Sequence, residues 1–134
     1  MQKLSTFAGQ FHSAFMMKNY NSEQNISFHT LSNGIRIIHR QCVGEVSCCG
    51  FVVKAGTRDE LENEQGLAHF TEHMLFKGTP SRSSHNILNY MDKVGGEVNA
   101  YTTKEEIFLY SVFLRKDYER AIALMSDQFF NSNF

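Results

Sequence analysis

The sequence lacks any run of about 18 apolar residues, so no segment reads as a membrane span. It also lacks an excess of charge of either sign. Thirteen Lys and Arg stand against 14 Asp and Glu, for a formal net charge of −1. That balance gives no reason to expect nucleic acid or an acidic membrane as a partner. Proline is nearly absent, with only Pro80, and there is no low-complexity run or internal repeat. Cysteine is scarce too. Cys42, Cys48 and Cys49 form no CxxC pair, and neighbours such as Cys48 and Cys49 would point to opposite faces of a strand. Three thiols without ligand spacing read as small buried or half-buried side chains in a reducing compartment. The cytoplasm is the expectation, with the mitochondrial matrix as the alternative. The first 25 residues lack arginine, and they lack an acidic residue before Glu23. Gln10 and His12 interrupt any signal-peptide core, and the missing arginine argues against a mitochondrial presequence. Residues 1–25 therefore read as a leader or extra N-terminal segment, with Met16 or Met17 as alternative starts. The domain proper begins at residue 26.

What is present suits a single domain. The chain has 134 residues, of which 42% are hydrophobic and 20% charged, enough for a real core. ISFHTLSNGIRIIHRQ reads as two short strands joined at Asn33-Gly34. Residues 45–57, EVSCCGFVVKAGT, read as a central strand buried on both faces. The charged loop RDELENEQG follows, and then a helix from about Glu64 to Lys77, with Leu67, Phe70, Met74 and Leu75 at helical spacing. Gly78 and Pro80 end it. A second helix starts at an N-cap, Ser83 or Ser84, carries Ile87, Leu88 and Met91, and stops at Gly95-Gly96. Residues 97–114 read as two strands turning near Lys104-Glu105. The second of these has two largely apolar faces, so it should lie in the sheet interior. A last helix buries Tyr118, Ala121, Ile122, Met125 and Phe129. This order implies an α+β fold, a mostly antiparallel sheet with helices packed on one face.

The chemistry gathers in HFTEHMLF, residues 69–76. On a helix, residues four apart share a face, so His69 and His73 can aim two imidazole nitrogens at one point. Two neutral imidazoles suit Zn2+, which takes nitrogen at about 2.0–2.1 Å. Glu72 falls beside them, where a carboxylate can take a proton from water and later pass it to a leaving amine. Zinc lowers the pKa of a bound water to about 7. The five-residue pattern by itself leaves open an exposed helix face on which Glu72 pairs with a histidine. His29, His39 and His85 have no ligand spacing and read as surface or half-buried.

The flanks add more. GLAHFTEHMLFKGT resembles the signature helix of the inverzincin metallopeptidases, the pitrilysin family, whose motif is His-x-x-Glu-His. LSNGIRI resembles the family's first hairpin, VKAGTRDE its central strand and loop, and GGEVNAYTTKEEIFLYSVF the strand pair that follows. The resemblance covers residues 27 to 134. The Phe-Lys-Gly-Thr ending is more similar to the beta-type mitochondrial processing peptidases and their small bacterial relatives than to pitrilysin or insulin-degrading enzyme. It implies that His69 and His73 are zinc ligands and that Glu72 is the general base. Asn99 and Ala100 match the family's Asn-Ala on an edge strand, where an extended peptide substrate adds as a further strand.

The resemblance also implies missing parts. A catalytic zinc site usually has three protein ligands and a water. In the family the third is a glutamate roughly 75 residues past the second histidine, which puts it near position 149. Glu97, Glu105, Glu106 and Glu119 all come too early. Residues 26–134 are thus expected to be the N-terminal part of a metallopeptidase catalytic domain, truncated before the third ligand. A second homologous half or subunit, in a homodimer or heterodimer, is expected to close over the substrate. The 134-residue species is expected to bind zinc weakly and to cleave peptides poorly or not at all. The implied activity is a zinc-dependent endopeptidase acting on extended peptides or presequences. The alternative is a non-catalytic, peptide-binding or scaffold subunit of the same family, which would usually have lost a motif residue. A zinc hydrolase of another substrate class has only the metal motif in its favour.

Overall fold

Residues 107–114 alternate Ile, Leu, Ser and Phe on one side with Phe, Tyr, Val and Leu on the other, and strands pair with both of their edges. The computed structural model describes residues 25–134. The expected leader, apart from Asn25, lies outside the described residues. In chain order the elements are β1 (Ile26–Thr30), β2 (Arg36–Arg40), β3 (Val46–Val53), α1 (Leu67–Met74), the two-residue strands β4 (Gly78–Thr79) and β5 (Arg82–Ser83), α2 (Ser84–Asp92), β6 (Glu97–Thr102), β7 (Ile107–Leu114), a 3-10 turn over Arg115–Asp117, and α3 (Tyr118–Phe130). All strand pairings are antiparallel. The architecture is α+β, as the sequence implies.

The main sheet has the order β3-β7-β6. Cys49 pairs with Ser111, Phe51 with Leu109, and Ala100 with Leu109 from the other side. Side chains alternate across a strand, so these positions share one face with Ile107 and Phe113. That face carries the helices. Ile87 and Met91 of α2 and Leu124 and Met125 of α3 pack there with Leu109 and Phe113. Burying each large apolar side chain stabilises the fold by about 1.5–3 kcal/mol. The other face carries Cys48, Val52, Asn99, Tyr101, Phe108 and Tyr110. Tyr101 stacks on Phe108 with ring centroids 4.7 Å apart.

Several expectations need correction. Residues 45–57 do not form the central strand. β7 holds that place, while β3 lies at one edge of the described sheet, with Val46 and Val52 exposed. Local hydrophobicity cannot tell an edge strand from a central one when one face is packed. The helix expected from about Glu64 begins at Leu67, because Gly66 takes a left-handed φ of 93° that a helix cannot continue through. It ends at Met74, and residues 75–77 form turns. Leu67 and Phe70 are exposed, and only Leu75 of that apolar stripe is buried. Leu88 is exposed on α2, where Ile87 and Met91 alone are buried. On α3, Tyr118 is exposed, and Leu124 and Gln128 join Ala121 and Met125 on the buried side. Cys42 is exposed; burial pushes the Cys48 thiol up to about 11 and that of Cys49 up to about 12. His29 and His85 are exposed and His39 is half-buried, as expected.

Other local readings hold. The β1–β2 hairpin turns at Asn33-Gly34, with Gly34 N–H donating to Leu31 O at 2.9 Å. Ser83 caps α2, accepting from Asn86 N–H at 3.3 Å.

Candidate metal centre

The site is built on α1, which lies beside β6. Its N-cap is Gly66, which has no side chain with which to cap the helix. Glu60 does this from the preceding loop, accepting from Gly66 N–H at 2.9 Å and from Ala68 N–H at 2.8 Å. At the other end, the buried Gln128 of α3 donates its side-chain amide to Leu75 O at 3.1 Å.

Between these anchors, His69 and His73 stand on the exposed flank one turn apart. Their Nε2 atoms approach to 2.8 Å, and the rings meet edge-on with centroids 4.4 Å apart. Two nitrogens each about 2.0–2.1 Å from one tetrahedral zinc would be about 3.4 Å apart. A small opening of the two rings meets that requirement, so the pair fits zinc as two of its ligands. Glu72 lies between them on the inner side. Its side chain is 13% exposed, and Oε2 is 4.0 Å from His69 Nδ1. Thr102, the last residue of β6, donates its hydroxyl to that same Oε2 at 2.6 Å.

Among the described residues, no group of three His, Cys, Asp or Glu side chains could hold a metal. Of the early glutamates, Glu105 pairs with Arg58, and Glu119 accepts from the Tyr118 hydroxyl at 2.9 Å. Residues 25–134 therefore bring together two candidate ligands and a carboxylate.

Asn99 and Ala100 lie on β6, an edge strand of the described sheet, three and two positions from the strand end. Ala100 shares the helix-bearing face with Thr102, so it lies on the side of Glu72. Asn99 lies on the opposite face, opposite Tyr110, and its Oδ1 accepts from Ala100 N–H at 2.8 Å. Beside α1 a cavity of about 360 Å3 opens between Leu67, Ala68, Thr71, Leu75, Phe129 and Phe134. The sequence reading missed both Glu60 and Thr102. Gly66 carried a hint of the first, since a helix starting at glycine must be capped from elsewhere. Thr102 is 30 residues from Glu72, and no local pattern joins them.

Residues 36–134 match the family model described as insulinase, peptidase family M16. The chain belongs to this family. The resemblance read from GLAHFTEHMLFKGT thus holds. The beta subunit of the mitochondrial-processing peptidase of Dictyostelium discoideum is 40% identical over 106 residues, which cover 78% of this chain and 23% of that one. A zinc protease of Bacillus subtilis, itself uncharacterized, is 37% identical over 111 residues, covering 81% of this chain and 27% of the relative. These relatives are of the two kinds to which the Phe76-Lys77-Gly78-Thr79 ending pointed. A protease from Helicobacter pylori has the same fold, with a TM-score of 0.78 at 22% identity, over 81% of this chain and 27% of that structure. The M16 region described here spans about a quarter of the length of these relatives. Among the described residues, no helix is long and apolar enough to cross a membrane.

Proposed function

We propose that residues 26–134 form the His-x-x-Glu-His part of a zinc-dependent endopeptidase that hydrolyses extended peptides or presequences. The observation that carries this is the convergence of the two histidine Nε2 atoms, 2.8 Å apart, with the Glu72 carboxylate tucked against the same helix turn. His69 and His73 would hold zinc, and a third ligand would come from outside residues 25–134. Bound zinc supplies Lewis-acid activation of water and of the scissile carbonyl. Glu72 takes the proton from water and returns it to the leaving amine. The edge of β6 at Asn99 and Ala100, with which no described strand pairs, receives the substrate backbone as an added strand, so extension matters more than side-chain identity. A second homologous half or subunit encloses the peptide. Three free thiols suit a reducing compartment, the cytoplasm or the mitochondrial matrix.

The test is Glu72→Gln in the complete protein, assayed on a quenched fluorescent peptide. General acid–base catalysis contributes about 10²–10⁴-fold, so kcat should fall by that factor while zinc content is retained. Unchanged hydrolysis would remove the general-base assignment. Peptide binding without any hydrolysis by the wild-type protein would favour a scaffold subunit instead. The 134-residue species should bind zinc weakly and cleave little. Nanomolar zinc affinity by calorimetry, or robust chelator-sensitive proteolysis, would overturn that reading.

A further inference from the structure

We infer that Thr102 is the positioning residue for the Glu72 carboxylate. This rests on the reading of Glu72 as the general base. A glutamate side chain has three rotatable bonds and, on the flank of a short helix, many orientations open to it. Here one oxygen is held. The Thr102 hydroxyl donates to Oε2 at 2.6 Å, a short contact of the charge-assisted kind. Among the described residues no hydrogen bond engages Oε1, so that oxygen stays available to the reacting water.

Thr102 is well suited to this task. It closes β6 and pairs with Ile107 of the central strand, which fixes its backbone. It lies on the helix-bearing face, two positions after Ala100. Its β-branched side chain is stiff about χ1, so the hydroxyl needs little ordering. The turn that follows is clamped, because Thr103 N–H donates to Glu106 O at 2.8 Å and Thr57 N–H donates to Thr103 O at 3.1 Å. Thr102 is thus the one described hydrogen-bond donor that joins the sheet edge, where substrate would add, to the carboxylate on α1. A shift of either element would be felt at Glu72 through this contact.

The test uses Thr102→Val and Thr102→Ser in the complete protein. Valine keeps the shape and branching and removes the donor. We expect kcat to fall about 10- to 100-fold, bounded by the loss in Glu72→Gln, with KM within about twofold of wild type. Zinc content and the thermal midpoint should match wild type, and serine should restore most of the rate. In a Glu72→Gln background, Thr102→Val should add little further loss, because groups that act through one another are not additive. A merely structural role predicts equal losses in both backgrounds, and that result would overturn the proposal. So would wild-type kcat in Thr102→Val, or failure of serine to restore it. Thr102→Ala serves the same comparison if the valine protein does not fold. An inactive Glu72→Gln beside a fully active Thr102→Val removes only the positioning role, whereas an active Glu72→Gln removes the general-base reading and this inference with it.

Discussion

Removing the Glu60 carboxylate should loosen the start of α1 without unfolding the sheet. The carboxylate accepts from two N–H groups that have no partner within the helix, those of Gly66 and Ala68. In Glu60→Ala both are released. Gly66 is exposed, so water replaces most of what its N–H loses; Ala68 is half-buried, so its N–H loses more. Capping losses run about 0.5–2 kcal/mol, and a hydrogen bond to a charged group about 1.5–3 kcal/mol, giving about 2 kcal/mol for the pair of contacts. At 1.4 kcal/mol per tenfold, the local opening equilibrium of the first turn rises about 30-fold. Native-state amide hydrogen exchange reads that quantity directly. Amides of α1 should exchange about 30-fold faster in Glu60→Ala, while those of β7 keep their protection. Glu60→Gln, which keeps one acceptor and loses the charge, should fall between. Unchanged exchange in α1 would refute the capping role. An equal acceleration in β7 would refute its local character.

Asp127 gives a prediction about acid. Its carboxylate accepts from Thr79 and Ser81 hydroxyls at 2.7 Å, from Asn131 at 3.0 Å and from Arg82. Burial alone would raise its pKa, but the hydrogen bonds from Ser81, Thr79, Asn131 and Arg82 together outweigh burial and hold it far below its ordinary value of 3.8. A depressed folded-state pKa gives stability that is complete above the unfolded value and is lost as pH falls below it. Asp127→Asn should therefore be less stable by about 2 kcal/mol at pH 7, where the ionised acceptor matters, with the gap narrowing below about pH 4. Urea unfolding at pH 7 and pH 3 checks this, and an equal gap at both pH values would contradict it. Gly56→Ala tests the clamp between the β3–α1 loop and the β6–β7 turn. An added Cβ would sit 2.5 Å from Glu105 N and 2.6 Å from Lys104 C and Thr103 O, all of them backbone atoms. Relief must break the hydrogen bonds of Thr57 N–H to Thr103 O and Arg58 N–H to Lys104 O. At about 1 kcal/mol each plus about 1–3 kcal/mol of overpacking, the loss is about 3–5 kcal/mol. A urea midpoint near that of wild type would sink this account.

Much of this was legible in the sequence because it is local. The alternation over residues 107–114 marks a strand with two usable faces, and Asn33-Gly34 marks the hairpin of β1 and β2. The four-residue spacing of His69 and His73 fixed their shared face. The expectations that failed are those settled by distant parts of the chain. Whether β3 is central depends on what pairs with its free edge, which no property of VSCCGFVV records. The apolar spacing of Leu67, Phe70 and Leu75 was real, yet only Leu75 is covered among the described residues. Gln128 is polar, so helical spacing alone does not place it on the buried side of α3. It is fully buried and donates its side-chain amide to Leu75 O, 53 residues away.

These long-range ties explain how so short a helix can hold a site. α1 has eight residues, and none of them is buried. Isolated helices of that length are marginal in water, so its order must come from elsewhere. Apolar burial cannot supply all of it, since the flank with His69 and His73 has to stay open. Polar contacts do it instead. Glu60 fixes the first turn, Thr102 the middle through Glu72, and Gln128 the carbonyl at Leu75 just past its end. Ser84 adds a fourth tie, donating to Phe76 O at 2.6 Å. All four end on backbone groups or on Glu72, and none ends on an imidazole. The helix is thereby set from outside, and none of these ties constrains the two histidine rings, as the proposed zinc ligation would need.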